Sequence, residues 1–175
     1  MSVFKFEPIY KKRIWGGQQF HALFDHGLDC NERIGESWNI VDREDEQSFF
    51  LHPNGNQQTI RSLIEGNCHE IMGPNWKKDR RFPILVKWLD CHARLSLQVH
   101  PPADIASSLN GEPKTENWYI VNCTEEAGII LGLKEGVTKL QFQEALKQNS
   151  AENLCHKIPS KPNDSVLVES GRMHA

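Results

Sequence analysis

The stretch Leu95-Ser96-Leu97-Gln98-Val99-His100-Pro101-Pro102 alternates apolar and polar residues and then ends in two prolines. Alternation with a period of two is typical of a β-strand that buries one of its faces. Proline lacks the backbone N–H that a strand donates to its neighbour, so the two prolines end the strand. The stretch therefore predicts a strand over residues 93–99, with His100 at an open strand end.

The polar residues of this strand form part of a candidate metal site. Gln98 and His100 are two residues apart, so they share one face and lie roughly 6.6 Å apart along the strand. Lys114, Glu116 and Trp118 share a face of a following strand by the same alternation, and a neighbouring strand could direct Glu116 to the same point. Imidazole nitrogen with carboxylate and amide oxygens suits zinc, or a harder divalent ion with weaker binding. His174, the second-last residue of the chain, is the fourth candidate ligand.

Short apolar runs broken by Gly, Pro, Asn and Asp continue along the chain and favour β structure. The predicted strands cover residues 35–41, 47–51, 84–90, 93–99, 116–123, 128–133 and 165–169. A strand-rich chain must close or stack its sheets to bury one face, so sandwich and barrel architectures are expected.

Three short helices are predicted between the strands. Residues 59–65 carry apolar positions at helical spacing, and Gly66 follows as a stop signal. Thr138 and Gln141 fit a capping box, which predicts a helix over 139–148 that covers one flank of the sheets. A third helix is expected over 104–109, after the proline pair.

Composition limits the class of protein and its partners. The chain has 175 residues, 38% of them hydrophobic, and a net charge of -3, which predicts one globular domain without nucleic acid as a partner. No apolar run approaches the ~20 residues of a membrane span, and the first residues lack a signal-peptide pattern, so no membrane and a cytoplasmic location are expected. The five cysteines form no C-x-x-C pair, so we expect reduced, mostly buried thiols.

Six motifs, in the order of the chain, resemble those of the type I phosphomannose isomerases of the cupin superfamily. They are Ile14-Trp15-Gly16-Gly17, Gly35-Glu36-Ser37-Trp38, Phe82-Pro83-Ile84-Leu85-Val86-Lys87, Leu95-Ser96-Leu97-Gln98-Val99-His100-Pro101, Gly111-Glu112-Pro113-Lys114-Thr115-Glu116-Asn117-Trp118-Tyr119 and Gly171-Arg172-Met173-His174-Ala175. The resemblance covers essentially the whole chain. It implies a mostly β, cupin-type jelly-roll sandwich or barrel with short helical insertions, as a single domain over residues 1–175.

The resemblance also implies a zinc-dependent interconversion of mannose 6-phosphate and fructose 6-phosphate, with one Zn²⁺ per chain and a phosphosugar substrate. The implied zinc ligands are Gln98, His100, Glu116 and His174. Lys114 matches a lysine of the substrate pocket and is the candidate catalytic residue. Among the candidate substrate-binding residues, Lys87 and Ser96 match positions linked to the sugar phosphate, and Trp15 matches an aromatic residue near the sugar.

An aldose–ketose isomerisation moves a proton between C1 and C2 through a cis-enediol, which requires a base and an electrophile. The metal would polarise the sugar oxygens, while Lys114, Glu36 and a metal-bound water are alternative bases. A different hypothesis is a catalytically impaired cupin fragment that only binds metal and phosphosugar. Metal-dependent oxygenation is a third, and the phosphate candidates Lys87 and Ser96 argue against it.

The family's proteins continue beyond the motif that contains His174, so we expect a fold truncated at its C-terminal end. Missing strands would leave open sheet edges, and self-association through these edges is expected. His174 would lie at a fraying terminus. Arg172 beside a metal would be unfavourable unless it points away or contacts the phosphate.

Overall fold

The structure, a computed structural model, describes residues 3–24, 27–29 and 31–175. The chain divides into two compact units, Met1–Arg94 and Leu95–Ala175, and each is described by itself. The single domain expected for residues 1–175 stays a prediction. Strands exceed helices, so the expected mostly β chain with short helices is confirmed.

The first unit is built on a three-stranded antiparallel sheet. Strands β1 (Ile9–Gly17), β2 (Ile34–Ile40) and β5 (Val86–Leu89) pair in the order β1-β2-β5, and β3 (Phe49–Leu51) pairs with β4 (Gln57–Thr59). Three short helices complete the unit: α1 (Gln19–Phe24), α2 (Ile60–Gly66) and α3 (Cys68–Met72). Its buried apolar side chains include those of Phe20, Ile34, Val41, Ile60, Leu63 and Ile64.

Helix α2 confirms the helix predicted over 59–65. Its N-cap is Thr59, whose hydroxyl accepts a hydrogen bond from the backbone N–H of Ser62, as expected for an N-cap. Ile60, Leu63 and Ile64 are buried, which is the apolar face that their spacing predicts.

Glycine is required where strands β1 and β2 approach each other closely. A Cβ atom on Gly16 would lie 2.5 Å from the backbone nitrogen of Gly35. A Cβ atom on Gly35 would lie 2.6 Å from Cβ of Arg13 and 2.7 Å from Cζ3 of Trp15. Gly16 and Gly35 are therefore needed in their motifs, since a methyl group at either position would collide with the neighbouring backbone or side chains.

A buried ion pair ties α2 to the end of β2. The carboxylate of Asp42, with a side chain 1% exposed, accepts hydrogen bonds from Nε and Nη2 of Arg61 at 2.9 and 2.6 Å. It also accepts one from the backbone N–H of Phe82 at 2.8 Å. One side chain thus connects three segments of the first unit.

The second unit contains two antiparallel strand pairs. Strand β6 (Glu116–Tyr119) pairs with β9 (Ser165–Val168), and β7 (Gly128–Leu133) pairs with β8 (Cys155–Pro159). Helix α4 (Ala103–Ala106) continues into a 3₁₀ turn, Ser107–Leu109, and a second 3₁₀ turn, Ala151–Leu154, precedes β8. Helix α5 (Lys139–Lys147) begins with the predicted capping box of Thr138 and Gln141.

The last residues of the chain extend the β7–β8 pair. His174 pairs with Gln98 on one side and with Leu131 on the other. Its N–H donates to the Gln98 carbonyl at 2.9 Å and its carbonyl accepts from the Gln98 N–H at 2.8 Å, while Ala175 and Ile130 exchange both of their backbone hydrogen bonds. His174 is 2% exposed. The predicted fraying of His174 is therefore wrong, because backbone pairing on both sides holds it.

The predicted strand over 93–99 is also wrong. Only Gln98 forms a bridge there, and Val99, which belongs to the expected buried face, is half exposed. The strands at 35–41, 47–51, 84–90, 116–123, 128–133 and 165–169 are confirmed in location, most of them shorter than expected. Strands β1, β4 and β8 and helices α1 and α3 were not predicted.

Four cysteines among the described residues are free thiols: Cys68 and Cys155 are buried, Cys123 is partly exposed and Cys91 is exposed. Cys30 lies outside the described residues. The expectation of reduced thiols is in accord with these four, but Cys91 departs from the expected burial. None of the described helices combines the length and apolar character needed to cross a lipid bilayer.

Candidate metal centre

Three potential metal ligands converge in the second unit. His100, Glu116 and His174 each offer one ligand atom, and these atoms lie within 4.8 Å of one another. His100 Nε2 is 3.0 Å from Glu116 Oε1, and the two imidazole rings have their centroids 5.2 Å apart. The residues come from three segments: the end of the Leu95–His100 stretch, the start of β6 and the strand-like C-terminal end. Two imidazoles and a carboxylate are a donor set that zinc accepts.

The ring of His174 is held in the tautomer that can bind a metal through Nε2. Its Nδ1 lies 2.8 Å from the carbonyl oxygen of Arg172. A carbonyl oxygen only accepts hydrogen bonds, so in the neutral ring Nδ1 carries the proton and Nε2 keeps the lone pair. A backbone carbonyl is one of the usual partners of the non-ligating nitrogen in a metal-binding histidine.

His100 is kept in its neutral form. Burial lowers the pKa of His100 below its ordinary value, and the charge of Lys114 lowers it further; the opposing effect of Glu116 is smaller. The ring is therefore uncharged near neutral pH, which is the protonation state that binds a metal ion.

The two oxygens of Glu116 have different partners. Oε2 accepts a hydrogen bond of 2.6 Å from the indole N–H of Trp118, which lies two residues further along β6 and hence on the same face. Oε1 lies near His100 and 2.7 Å from the ammonium of Lys114. The carboxylate thus presents one oxygen to the cluster while the indole occupies the other.

The ammonium of Lys114 shows that the donor atoms of the cluster accommodate a positive charge. Its Nζ lies 2.7 Å from Glu116 Oε1 and 3.3 Å from His100 Nε2. A positively charged group is therefore already held by two of the donor atoms that a metal would use. The donor set fits a divalent cation in both chemistry and spacing.

Gln98 lies beside the cluster through its backbone. Residues directly opposite each other in an antiparallel pair share a face, and Gln98 is opposite His174. The side-chain amide of Gln98 donates to the carbonyl of Ser96 at 3.4 Å, and the Ser96 side chain is exposed. The pairing places Gln98 on the correct face, and its role as a fourth ligand stays a prediction.

The guanidinium of Arg172 points away from the candidate ligands, so the expected repulsion between Arg172 and a bound metal does not arise. Its guanidinium pairs with Glu169 at 3.0 Å, with both side chains largely exposed. Only its carbonyl oxygen contacts a ligand, through Nδ1 of His174.

The remaining predicted residues, Trp15 and Lys87, belong to the first unit, where Lys87 contacts Glu36. The buried Glu36 carboxylate accepts a hydrogen bond from Lys87 at 2.9 Å on Oε1, and from Arg13 at 2.6 Å and Trp38 at 3.1 Å on Oε2. The ring of Trp15 lies against Gly35. Burial raises the pKa of Glu36, but the hydrogen bonds and charges, led by those of Lys87, outweigh it and hold the pKa below its ordinary value.

Replacement of Glu36 by glutamine should remove a pH-dependent part of the stability. A carboxyl whose pKa is lower in the folded state stabilises above its ordinary pKa of 4.5, and this contribution disappears as the pH falls through the folded-state pKa. We expect Glu36→Gln to lower the free energy of unfolding by about 1–3 kcal/mol at neutral pH, with a gap to wild type that narrows in acid. Urea unfolding across pH measures this, with exposed Glu44→Gln as the control. If the difference in unfolding free energy between Glu36→Gln and wild type is the same at every pH, the prediction is wrong.

Sequence reasoning placed Trp118 on the face of Glu116 without assigning it a role, and it missed the carbonyl of Arg172; both groups contact candidate ligands. The spacing Glu-x-Trp is the signal for Trp118, because a period of two places acid and indole on one face of a strand. The carbonyl of Arg172 has no comparable signal, since any residue type carries a backbone carbonyl.

Comparison with known proteins relates the whole chain to one family. The family model described as phosphomannose isomerase type I, catalytic domain, matches residues 3–142. The chain is 36% identical over 173 residues to the mannose-6-phosphate isomerase ManA of Bacillus subtilis (strain 168), covering 97% of this chain and 53% of that protein. The chain therefore spans about half the length of the curated relatives it matches.

Solved structures share the fold. The crystal structure of mannose 6-phosphate isomerase from Bacillus subtilis superposes with a TM-score of 0.84 at 29% identity, covering 99% of this chain and 55% of the other. A Salmonella typhimurium mannose 6-phosphate isomerase bound to substrate (F6P) and a zinc atom has a TM-score of 0.70 at 13% identity, with 99% and 65% covered. At that identity the second comparison shows the fold alone.

Proposed function

The chain belongs to the type I phosphomannose isomerase family, and on this premise we propose that it is a zinc-dependent aldose–ketose isomerase that interconverts mannose 6-phosphate and fructose 6-phosphate. The observation that carries the proposal is the convergence of His100, Glu116 and His174 within 4.8 Å. The names of the relatives supply the reaction, and the Salmonella enzyme supports zinc and a phosphosugar as its ligands.

One zinc ion per chain would be held by His100, Glu116 and His174, with Gln98 as the fourth ligand. When bound, zinc supplies a Lewis acid for the carbonyl and hydroxyl oxygens of the sugar. The neutral ring of His100 and the fixed tautomer of His174 leave a nitrogen lone pair on each ring for this purpose.

Lys114 is proposed to carry the proton between C1 and C2 through a cis-enediol. Its two contacts are to Glu116 Oε1 and His100 Nε2, which are also candidate ligand atoms. With a metal on these atoms, the ammonium of Lys114 would be displaced from them, and it would accept a proton from the sugar only after losing its own. Glu36 and a water molecule remain the alternative bases.

The phosphosugar is proposed to contact Lys87 and Ser96 through its phosphate and Trp15 through the sugar. Lys87 pairs with Glu36 in the structure, and Arg13 shares that carboxylate, so two cations face one buried acid. The two cations on one carboxylate support an anion near Lys87. The cytoplasmic location and self-association through sheet edges stay predictions from the sequence.

The isomerase activity can be tested on the purified 175-residue chain loaded with zinc. We expect mannose 6-phosphate to be converted to fructose 6-phosphate, and a chelator to stop the conversion. If the chain binds zinc and the sugar phosphate without converting it, the catalytically impaired binding module is the correct function.

Replacement of Lys114 by methionine should abolish conversion and strengthen zinc binding. Removal of an ammonium that occupies the donor atoms also removes a like charge beside the metal, and we expect about a tenfold gain in affinity. Competition with a chromogenic chelator measures the affinity. Lys134→Met is the matched control, because Lys134 bonds only a backbone carbonyl in the contacts described. Weaker zinc binding by Lys114→Met would contradict the assignment.

A further inference from the structure

We propose that Trp118 is a positioning residue that holds Glu116 and His174 in the geometry needed to bind the metal. The inference rests on the proposed function, since it concerns the same centre, but it assigns a role to a residue that supplies no ligand atom. Trp118 lies on β6 and contacts two of the three candidate ligands.

The first contact fixes the carboxylate of Glu116. The indole N–H of Trp118 donates to Oε2 at 2.6 Å, and a hydrogen bond to a charged acceptor of this length is strong. The paired strand makes the donor rigid, because Glu116 is opposite Val168 and Trp118 is opposite Val166 in the β6–β9 register. This bond restricts rotation of the carboxylate about its terminal bond and keeps Oε1, the oxygen 3.0 Å from His100 Nε2, directed at the cluster.

The second contact restrains the ring of His174. Its imidazole packs edge-to-face against the indole, with ring centroids 5.6 Å apart and an interplanar angle of 76°. That arrangement is one that aromatic rings prefer. The carbonyl of Arg172 holds Nδ1 of the same ring, so the ring is fixed at one nitrogen and along one side. The two ligands are thus ordered before a metal binds, which reduces the conformational entropy lost on binding.

The first unit contains the same arrangement without the histidines. Trp38 donates to Oε2 of Glu36 at 3.1 Å, and Lys87 contacts Oε1 at 2.9 Å. In the second unit, Trp118 and Lys114 contact the corresponding oxygens of Glu116 at 2.6 and 2.7 Å. Glu36 has Arg13 as a further partner, where Glu116 has His100. Trp38 therefore offers a matched control: the same bond and the same spacing in the other unit.

The test is zinc affinity of the full chain, measured by chelator competition. Trp118→Phe retains an aromatic ring beside His174 and removes the N–H, and we expect zinc binding to weaken about 10- to 100-fold, as for other outer partners of metal ligands. Trp118→Leu removes both contacts and should weaken it further. Trp38→Phe should leave zinc affinity within about twofold of wild type, because Trp38 bonds Glu36, which is not a candidate zinc ligand.

Two further measurements separate positioning from loss of stability. Cobalt(II) bound in place of zinc should show an altered visible absorption spectrum in Trp118→Phe, since a carboxylate freed at Oε2 changes the coordination. The zinc-induced rise in the unfolding temperature, compared within each variant, should be smaller in Trp118→Phe than in Trp38→Phe. Wild-type zinc affinity and an unchanged cobalt spectrum in Trp118→Phe would overturn the proposal and leave the proposed function intact. A wild-type chain that binds no zinc would overturn both.

Discussion

Replacement of His100 by alanine is expected to weaken zinc binding by more than 100-fold, beyond the ~10–100-fold typical of losing an outer partner. His100 Nε2 lies 3.0 Å from Glu116 Oε1, and its loss leaves Glu116 and His174 with too few donors for a closed site. The variant is informative because His100 is partly exposed, whereas His174 is buried. His100→Ala should therefore remove a ligand without opening a cavity in the core.

The control for His100→Ala is His156→Ala, which removes an exposed histidine from β8 of the same unit. Zinc content after dialysis, together with chelator competition, distinguishes the two variants. We expect His156→Ala to retain one zinc per chain and His100→Ala to lose it. Equal zinc content in both would show that the metal does not bind at His100, and the assignment of the centre would be wrong.

Sequence patterns correctly predicted the elements whose own residues carry the pattern. Helix α5 begins at the capping box of Thr138 and Gln141, as expected, because a capping box is a contact between residues three apart in sequence. Strand β7, Gly128–Leu133, has the predicted bounds, and its apolar run contains the buried Ile129 and Ile130. In both cases the residues that form the element also carry its pattern.

Elements that depend on distant partners were missed. Strand β1 contains Lys11-Lys12-Arg13, which interrupts any apolar alternation, yet these side chains pair with acids far along the chain: Glu46, Glu32 and Glu36. The stretch before His100 shows the opposite error, since its alternation predicted a regular strand and only Gln98 is paired. Its polar face carries the candidate ligands Gln98 and His100, and it forms no regular strand.

The same difference between local and distant contacts applies to the candidate metal centre. Alternation correctly placed Glu116 and Trp118 on one face of β6, and the structure brings Glu116 to His100 as that pattern allows. The position of His174 could not be derived from the sequence, because it depends on backbone pairing with Gln98 and Leu131, which are both remote in sequence. That pairing holds the backbone of His174, and the carbonyl of Arg172 fixes the tautomer of its ring.

Replacement of Asp42 by alanine is expected to destabilise the first unit by about 3–5 kcal/mol, the usual cost of removing one partner of a buried ion pair. The carboxylate of Asp42 accepts two hydrogen bonds from Arg61 and one from the backbone N–H of Phe82. Without it, the Arg61 guanidinium and the Phe82 N–H lose their partner, and a largely buried charge is left uncompensated. Urea unfolding, followed by the tryptophan fluorescence of the chain, measures the loss.

The matched control for Asp42→Ala is Glu44→Ala, which removes an exposed acid that pairs with Arg81 at 2.6 Å. Both variants remove an acid–arginine contact, so their difference isolates burial. An exposed pair contributes only about 0–1 kcal/mol because water solvates and screens both charges. Asp42→Ala should therefore cost several times more than Glu44→Ala, and Asp42→Asn, which retains an acceptor oxygen, should fall between them. Similar losses for Asp42→Ala and Glu44→Ala would mean that the connection from β2 to α2 and Phe82 does not depend on this carboxylate.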